Sequence, residues 1–162
     1  MNMQEAIASI QQSLDTTVEM CKDLPQELLR WKPAEDKWSV IEVLCHVEEA
    51  IPYWLDEVGK LVESPGAEWG RGLQDVRRLA AVAAAESRPL GEVLAAIRQA
   101  KEQVQSVLGP LTAEQLGQAA PSRNPRFGTK PLSFVIEHLL VEHAAKHAEQ
   151  IARNIEQYKQ AG

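Results

Sequence analysis

Cysteine is scarce in this chain, with 2 in 162 residues. Cys21 and Cys45 make neither a disulfide framework nor a Cys-x-x-Cys pair. Basic charge is also short: 17 Lys and Arg stand against 23 Asp and Glu, a formal net charge of −6. That balance weighs against a nucleic-acid partner, which calls for a basic patch or stripe. No apolar run reaches the roughly 18 residues of a membrane span, and the polar stretch Met1–Asp15 lacks a signal-peptide apolar block. Strand signals are missing too, because no segment alternates in the period-two pattern of Val, Ile, Thr and aromatics. No repeat of about 20–50 residues recurs. These absences lead to the expectation of a soluble, cytoplasmic, all-α protein. At 44% hydrophobic and 25% charged residues, the composition is that of a folded domain rather than a disordered segment. The length suits a single domain over 1–162 that buries roughly two-thirds of its unfolded surface.

Helical spacing is present throughout. Ile7, Ile10, Leu14, Val18 and Cys21 form one stripe on a first helix, about 3–23, which Pro25 ends. A connector to Pro33 contains a short turn at Gln26–Arg30. Ser39 and Glu42 form a capping box that opens a second helix running to about 63, with Val43, Leu44, Val47, Ile51 and Trp54 facing inward. Pro52 lies within it and predicts a kink. Ser64–Arg71 reads as a loop, and Leu73–Ala85 as a short, Ala-rich helix with a weak stripe. Ser87 and Pro89 open a third helix to Leu108, and Thr112 with Gln115 caps a single turn. Gly117–Lys130 is expected to be a long polar loop. Pro131 opens a fourth helix to about Tyr158. Four long helices predict an antiparallel four-helix bundle.

The histidines are placed unevenly. At about 100° per residue, Ile136, Leu140, His143, His147 and Ile151 share one stripe, so two imidazoles occupy positions where a bundle normally has leucine. Buried imidazoles need partners, and burial keeps them neutral. His46 sits on the flank of the second helix's buried stripe. Each alone reads as a packed core histidine. Together they match a three-histidine site for one divalent metal, with a coordination position open for water or substrate. Three imidazoles suit Zn, Ni, Fe or Cu. His138 projects to the opposite side and is excluded. No His-Glu-x-x-His motif is present, and Glu42 and His46 are four apart rather than the three of a di-iron bundle.

Trp31-Lys32-Pro33, Lys37-Trp38-Ser39-Val40-Ile41-Glu42-Val43-Leu44-Cys45-His46-Val47 and the later Glu142-His143-Ala144-Ala145-Lys146-His147-Ala148-Glu149-Gln150-Ile151 resemble the two hallmark stretches of the DinB-like (DinB/YfiT) superfamily. The resemblance implies an up-down-down-up bundle with a long connection, here Ser64–Ser87, between its second and third helices. It also implies a divalent metal on His46, His143 and His147. Family members are often dimeric, so a homodimer is expected, with Val135 and Leu139 as a second contact face. Characterised members include transferases and isomerases that use low-molecular-weight thiols, and others are described as metal-dependent hydrolases. A thiol cosubstrate and a small-molecule substrate are therefore expected, but family membership alone does not settle the reaction.

Other residues have two readings each. Trp38 reads as a hydrophobic staple before the cap. Trp54, two turns after His46, reads as core or as pocket wall, and Gln150 as a partner of a ligand or of a histidine; both are candidates for substrate binding. Glu142 and Glu149 read as solvated or, at the edge of the site, as a general base. Arg123, Arg126 and Lys130 either draw in an anionic substrate or are simply solvated. No catalytic acid or base is identified. The leading expectation is a metal-dependent transferase or hydrolase that activates a thiol or water for attack on a small electrophile. The alternative is a non-catalytic protein that binds a metal or small ligand.

Overall fold

In a computed structural model, Asn2 caps α1 (Met3–Cys21) by accepting a hydrogen bond from the Glu5 amide. The structure describes residues 2–161, so the two end residues of the expected 1–162 domain lie outside it. The Pro25 stop is followed by α2 (Gln26–Arg30). The Ser39–Glu42 capping box then opens α3 (Val40–Glu63): Ser39 Oγ accepts from the Glu42 amide, and Glu42 Oε1 accepts from the Ser39 amide at 2.9 Å. Both satisfy amides that a helix start leaves free. The helix continues through Pro52 as one element. After α4 (Val76–Ala83) and a short 3₁₀ turn, Ala85–Ser87, comes α5 (Leu90–Leu108), with Pro89 in front of it. The Thr112–Gln115 capping box opens α6 (Ala113–Gly117).

The expected loop at 117–130 contains a small antiparallel ribbon, β1 (Ala119–Pro121) and β2 (Thr129–Pro131), with Ala120 opposite Lys130. Three-residue strands are too short to show a period in sequence. Trp69 bridges to this ribbon, because its amide donates to the Pro121 carbonyl at 3.1 Å and its indole Nε1 to the Ala120 carbonyl at 2.9 Å. The last long helix begins as α7 (Leu132–Ile136), widens into a π-helical segment, Glu137–Glu142, and resumes as α8 (His143–Ala161). The widened turn was not foreseen. It breaks the 100° projection immediately before His143, and such turns often occur at functional sites.

The long helices form a four-helix bundle of up-down-down-up order, which mixes antiparallel and parallel neighbours. Arg88 pairs with Glu48, and Gln103 and Val107 lie beside Pro52–Glu63, so α3 and α5 run in the same direction. Parallel neighbours need a long return, and α4 with its flanking loops supplies it. Asn154 Nδ2 reaches the Trp38 carbonyl at 2.8 Å while His143 faces His46, so α8 runs antiparallel to α3. The core draws on every long helix, with Ile10, Leu14, Leu44, Ile51, Ile97, Leu108, Leu140 and Ile151 fully buried. Val135 is part of that core and Leu139 lines a pocket, which corrects the expectation that they form an outer contact face. The large apolar side chains that are exposed, Leu73, Val76 and Leu79, lie on and beside α4 instead. Among the described residues, no helix is long and apolar enough to cross a membrane.

Candidate metal centre

Helix α3 brings His46 into the bundle interior, and α8 presents His143 and His147 one turn apart. Their candidate ligand nitrogens all lie within 4.8 Å of one another. His143 Nε2 lies 3.4 Å from His46 Nε2 and 2.8 Å from His147 Nε2. Nitrogens held about 2.0–2.1 Å from one tetrahedral zinc would be about 3.4 Å apart. Each Nε2 carries either a proton or one lone pair, so three facing nitrogens cannot all be satisfied by one another. A shared cation accepts all three lone pairs, and the donor set fits a divalent metal on this ground.

Protonation is consistent with that fit. Burial, reinforced by the neighbouring histidines, pushes His46 down to about 2. Burial and the adjacent His147 push His143 down to about 3. His147 is also lowered by burial, against the opposing hydrogen bond from Gln150. Neutral imidazoles are the metal-binding form. Gln150 Oε1 lies 2.8 Å from His147 Nδ1. An amide oxygen only accepts, so the proton sits on Nδ1 and the Nε2 lone pair faces His143. His46 Nδ1 is buried without a partner.

Trp38 does more than staple the helix start, since its ring lies 5.1 Å from that of His46 and 6.5 Å from that of His147. On the other side, His46 and His143 open onto a cavity of about 110 Å³. Trp54, Leu139 and Phe127 form apolar walls, and Arg71, Arg78 and Arg126 provide charge. Trp54 is therefore buried in the core and also faces the cavity. Gln150 lies on the far side of His147, facing a second cavity beside Trp31, Trp38 and Arg153. Val43 and Ala50 are packed into the core and do not line this cavity. His138 is half-exposed, bonds Glu142 and stacks on Phe134 at 5.1 Å, away from the three-histidine cluster. Glu149 is exposed. Burial pushes Cys45 up to about 11, which makes it a poor thiolate ligand.

Sequence reasoning missed the arginines of the connector. Arg71 is held by both Glu49 and Asp75 and lies over the Tyr53 ring at 3.8 Å. The buried carboxylate of Glu57 anchors its loop: Oε1 accepts from the Gly70 amide at 2.7 Å, from Tyr53 Oη at 3.2 Å and from Arg123 at 3.1 Å. Gly70 has φ +87°, and a Cβ there would meet Trp54 at 3.4 Å, so backbone and packing both favour glycine. Arg77-Arg78 is a basic pair in the sequence, but the direction in which Arg78 points depends on this loop. Of the three basic loop residues, Arg126 lines the cavity, whereas Arg123 pairs with Glu57 and Lys130 lies over Phe134.

A family model described as the DinB superfamily matches residues 9–151. Among solved structures, YfiT from Bacillus subtilis superposes with a TM-score of 0.82 at 14% identity, covering 97% of this chain and 87% of that one. It is described as a probable metal-dependent hydrolase with an unusual four-helix bundle topology. A mycothiol-dependent maleylpyruvate isomerase superposes with a TM-score of 0.70 at 8% identity, covering 96% of this chain but 61% of that one. Among curated proteins, none matches by sequence.

Proposed function

The chain belongs to the DinB superfamily, and on that premise we propose that it is a metal-dependent enzyme whose divalent ion is held by His46, His143 and His147. The convergence of three neutral imidazoles, buried His46 and His147 and half-buried His143, carries this reading. His46, His143 and His147 would hold a zinc, nickel or iron ion, which when bound would supply activation of a thiol or water as a nucleophile at neutral pH. The chain's own residues supply the rest. Gln150 fixes the tautomer of His147, Trp38 shields the imidazoles from water, and Trp54 walls the cavity against a small electrophile. The thiol-dependent isomerase among the structural relatives supports a low-molecular-weight thiol as cosubstrate, and the hydrolase relative supports water.

A non-catalytic binding protein is the second reading, favoured by a cavity lining without a carboxylate among the described residues. A cytoplasmic homodimer joined through Leu73, Val76 and Leu79 completes the proposal, with light scattering as its check.

Untagged protein, loaded and then dialysed, should retain about one equivalent of metal, as a three-ligand site requires. Full retention after His143→Ala, or loss after His138→Ala alone, would overturn the ligand set. A panel of thiols and electrophiles, assayed with loaded and chelated protein, then separates the two readings. Metal-dependent turnover supports the enzyme, whereas tight ligand binding without turnover supports the binding protein.

A further inference from the structure

Charge in the cavity beside the histidines is unevenly neutralised. Arg71 is fully engaged by Glu49 and Asp75. Arg78 is engaged less closely: its Nη1 donates to the Leu73 carbonyl at 3.0 Å, its guanidinium lies 5.5 Å from the Trp38 ring centroid, and Glu49 and Asp75 act on its charge from a distance, but no carboxylate among the described residues forms an ion pair with it. It is half-buried, and its positive charge bears on all three histidines. Arg126 reaches the same cavity from the opposite loop, again without a carboxylate partner among the described residues. Asn124 lies between, its Oδ1 accepting from the Arg126 amide at 3.1 Å, which leaves its amide hydrogens as donors. A half-buried, unpaired guanidinium is costly, and an anion that binds it in its planar fork relieves that cost.

The remaining lining is apolar. Trp54, Phe127 and Leu139 enclose a space of about 110 Å³, the share of roughly four liquid waters. That volume admits a small acid but not a nucleotide.

We propose that this cavity is a subsite for a small organic carboxylate, with the carboxylate on Arg78 and Arg126 and its apolar body against Trp54 and Phe127. His46 and His143 border the same cavity, so a ligand held there is presented to the histidine cluster. The substrate class deepens the enzyme reading and rests on it only for the chemistry that follows binding. Inorganic phosphate has the charge without the apolar body, and benzamide has the body without the charge.

Calorimetric titration of chelated and zinc-loaded protein with benzoate, benzamide and phosphate tests the assignment. Benzoate should bind at least tenfold more tightly than either comparator in both forms. Arg78→Gln should weaken benzoate about 10- to 100-fold, the scale of charge-assisted hydrogen bonds. Arg78→Lys should fall between, and Arg98→Gln, on the outer face of α5, should change nothing. Thermal melts of each variant confirm that it folds. Equal binding of benzoate and benzamide, phosphate matching benzoate, an unaffected Arg78→Gln or no benzoate binding at millimolar concentration would each overturn the subsite. Arg78-dependent benzoate binding by a protein that takes up no zinc would uphold the subsite and remove the metal reading. Zinc uptake without selective benzoate binding would do the reverse.

Discussion

Helices α1 and α5 face the core through Ile7, Ile10, Leu14 and Val18 on one side and Val93, Ile97, Val104 and Leu108 on the other, whereas α3 and α8 bury His46, Glu57, His147 and Asn154 among their apolar residues. Thr17 is the buried polar residue of the first pair, and Ser39, at the cap of α3, adds to the second. The difference separates two tasks. Apolar burial at about 25 cal/mol per Å² holds the bundle together, and it asks only for the right volume. The second pair, the polar half, also buries polar groups: Glu57, Asn154 and Ser39 find partners within the protein, whereas the facing imidazole nitrogens cannot all be satisfied by one another. Apolar burial is shared by both pairs, since α3 also buries Val43, Leu44, Ile51, Leu55 and Val58, but the unsatisfied imidazoles belong to the second pair alone.

The largest expected effect tests whether the polar half is dispensable to folding. His46→Leu should abolish metal retention, yet chelated protein should melt at or above the wild type. The substitution removes a buried, unpartnered Nδ1, a group that costs about 1–3 kcal/mol. A large fall in melting temperature would make His46 a structural residue and erase the comparison.

The converse change lies in the apolar half. Leu14→Ala should cost about 2–5 kcal/mol in denaturant unfolding while leaving one equivalent of metal bound. Metal loss on that change would show the halves to be coupled.

Gln150→Ala leaves all three imidazoles in place but frees the tautomer of His147. Metal affinity should fall about 10- to 100-fold, as for other partners of metal-ligating histidines, with little change in folding. Competition with a chromogenic chelator measures it.

Acidification should act on the polar half alone. The folded values of His46 and His143 lie far below the ordinary value of 6.5, so the unfolded chain binds more protons as pH drops. Stability of the chelated protein should be full above about pH 6.5 and decline below it. The loss is at most about 1.4 kcal/mol per pH unit for each histidine. His46→Leu should flatten the decline, and an unchanged slope would remove His46 from the titration.

The smallest effect concerns the cysteines. Burial pushes Cys21 up to about 12 and Cys45 up to about 11, so neither should react with a thiol reagent until the protein unfolds. Labelling of Cys21 in native protein would show α1 to be loosely packed, and labelling of Cys45 would show the core beside His46 to be open.

Much of this was legible in the chain because it depends on neighbours in sequence. Pro25, the Ser39–Glu42 and Thr112–Gln115 boxes, and Pro89 mark helix ends through contacts a few residues long, and each marks an end in the structure. The His143–His147 spacing places both on one turn-to-turn face for the same reason. The π-helical segment was not legible, since widening a helix is decided by what packs around it rather than by its own residue preferences. Trp38 illustrates the limit: its position before a cap predicted a staple, but its contact with His147 required α3 and α8 to meet.

Sequence spacing alone was enough for an all-helical chain with three imidazoles on inward-facing stripes, because helical periodicity is a local property of the backbone. Tertiary structure decided which groups share the cavity with them. Arg78 reaches it from the return between two parallel helices, a loop held in place by Glu57, Gly70 and Trp69. Those contacts join residues 13 and 51 positions apart. At such separations, only packing of the whole chain determines which side chains meet.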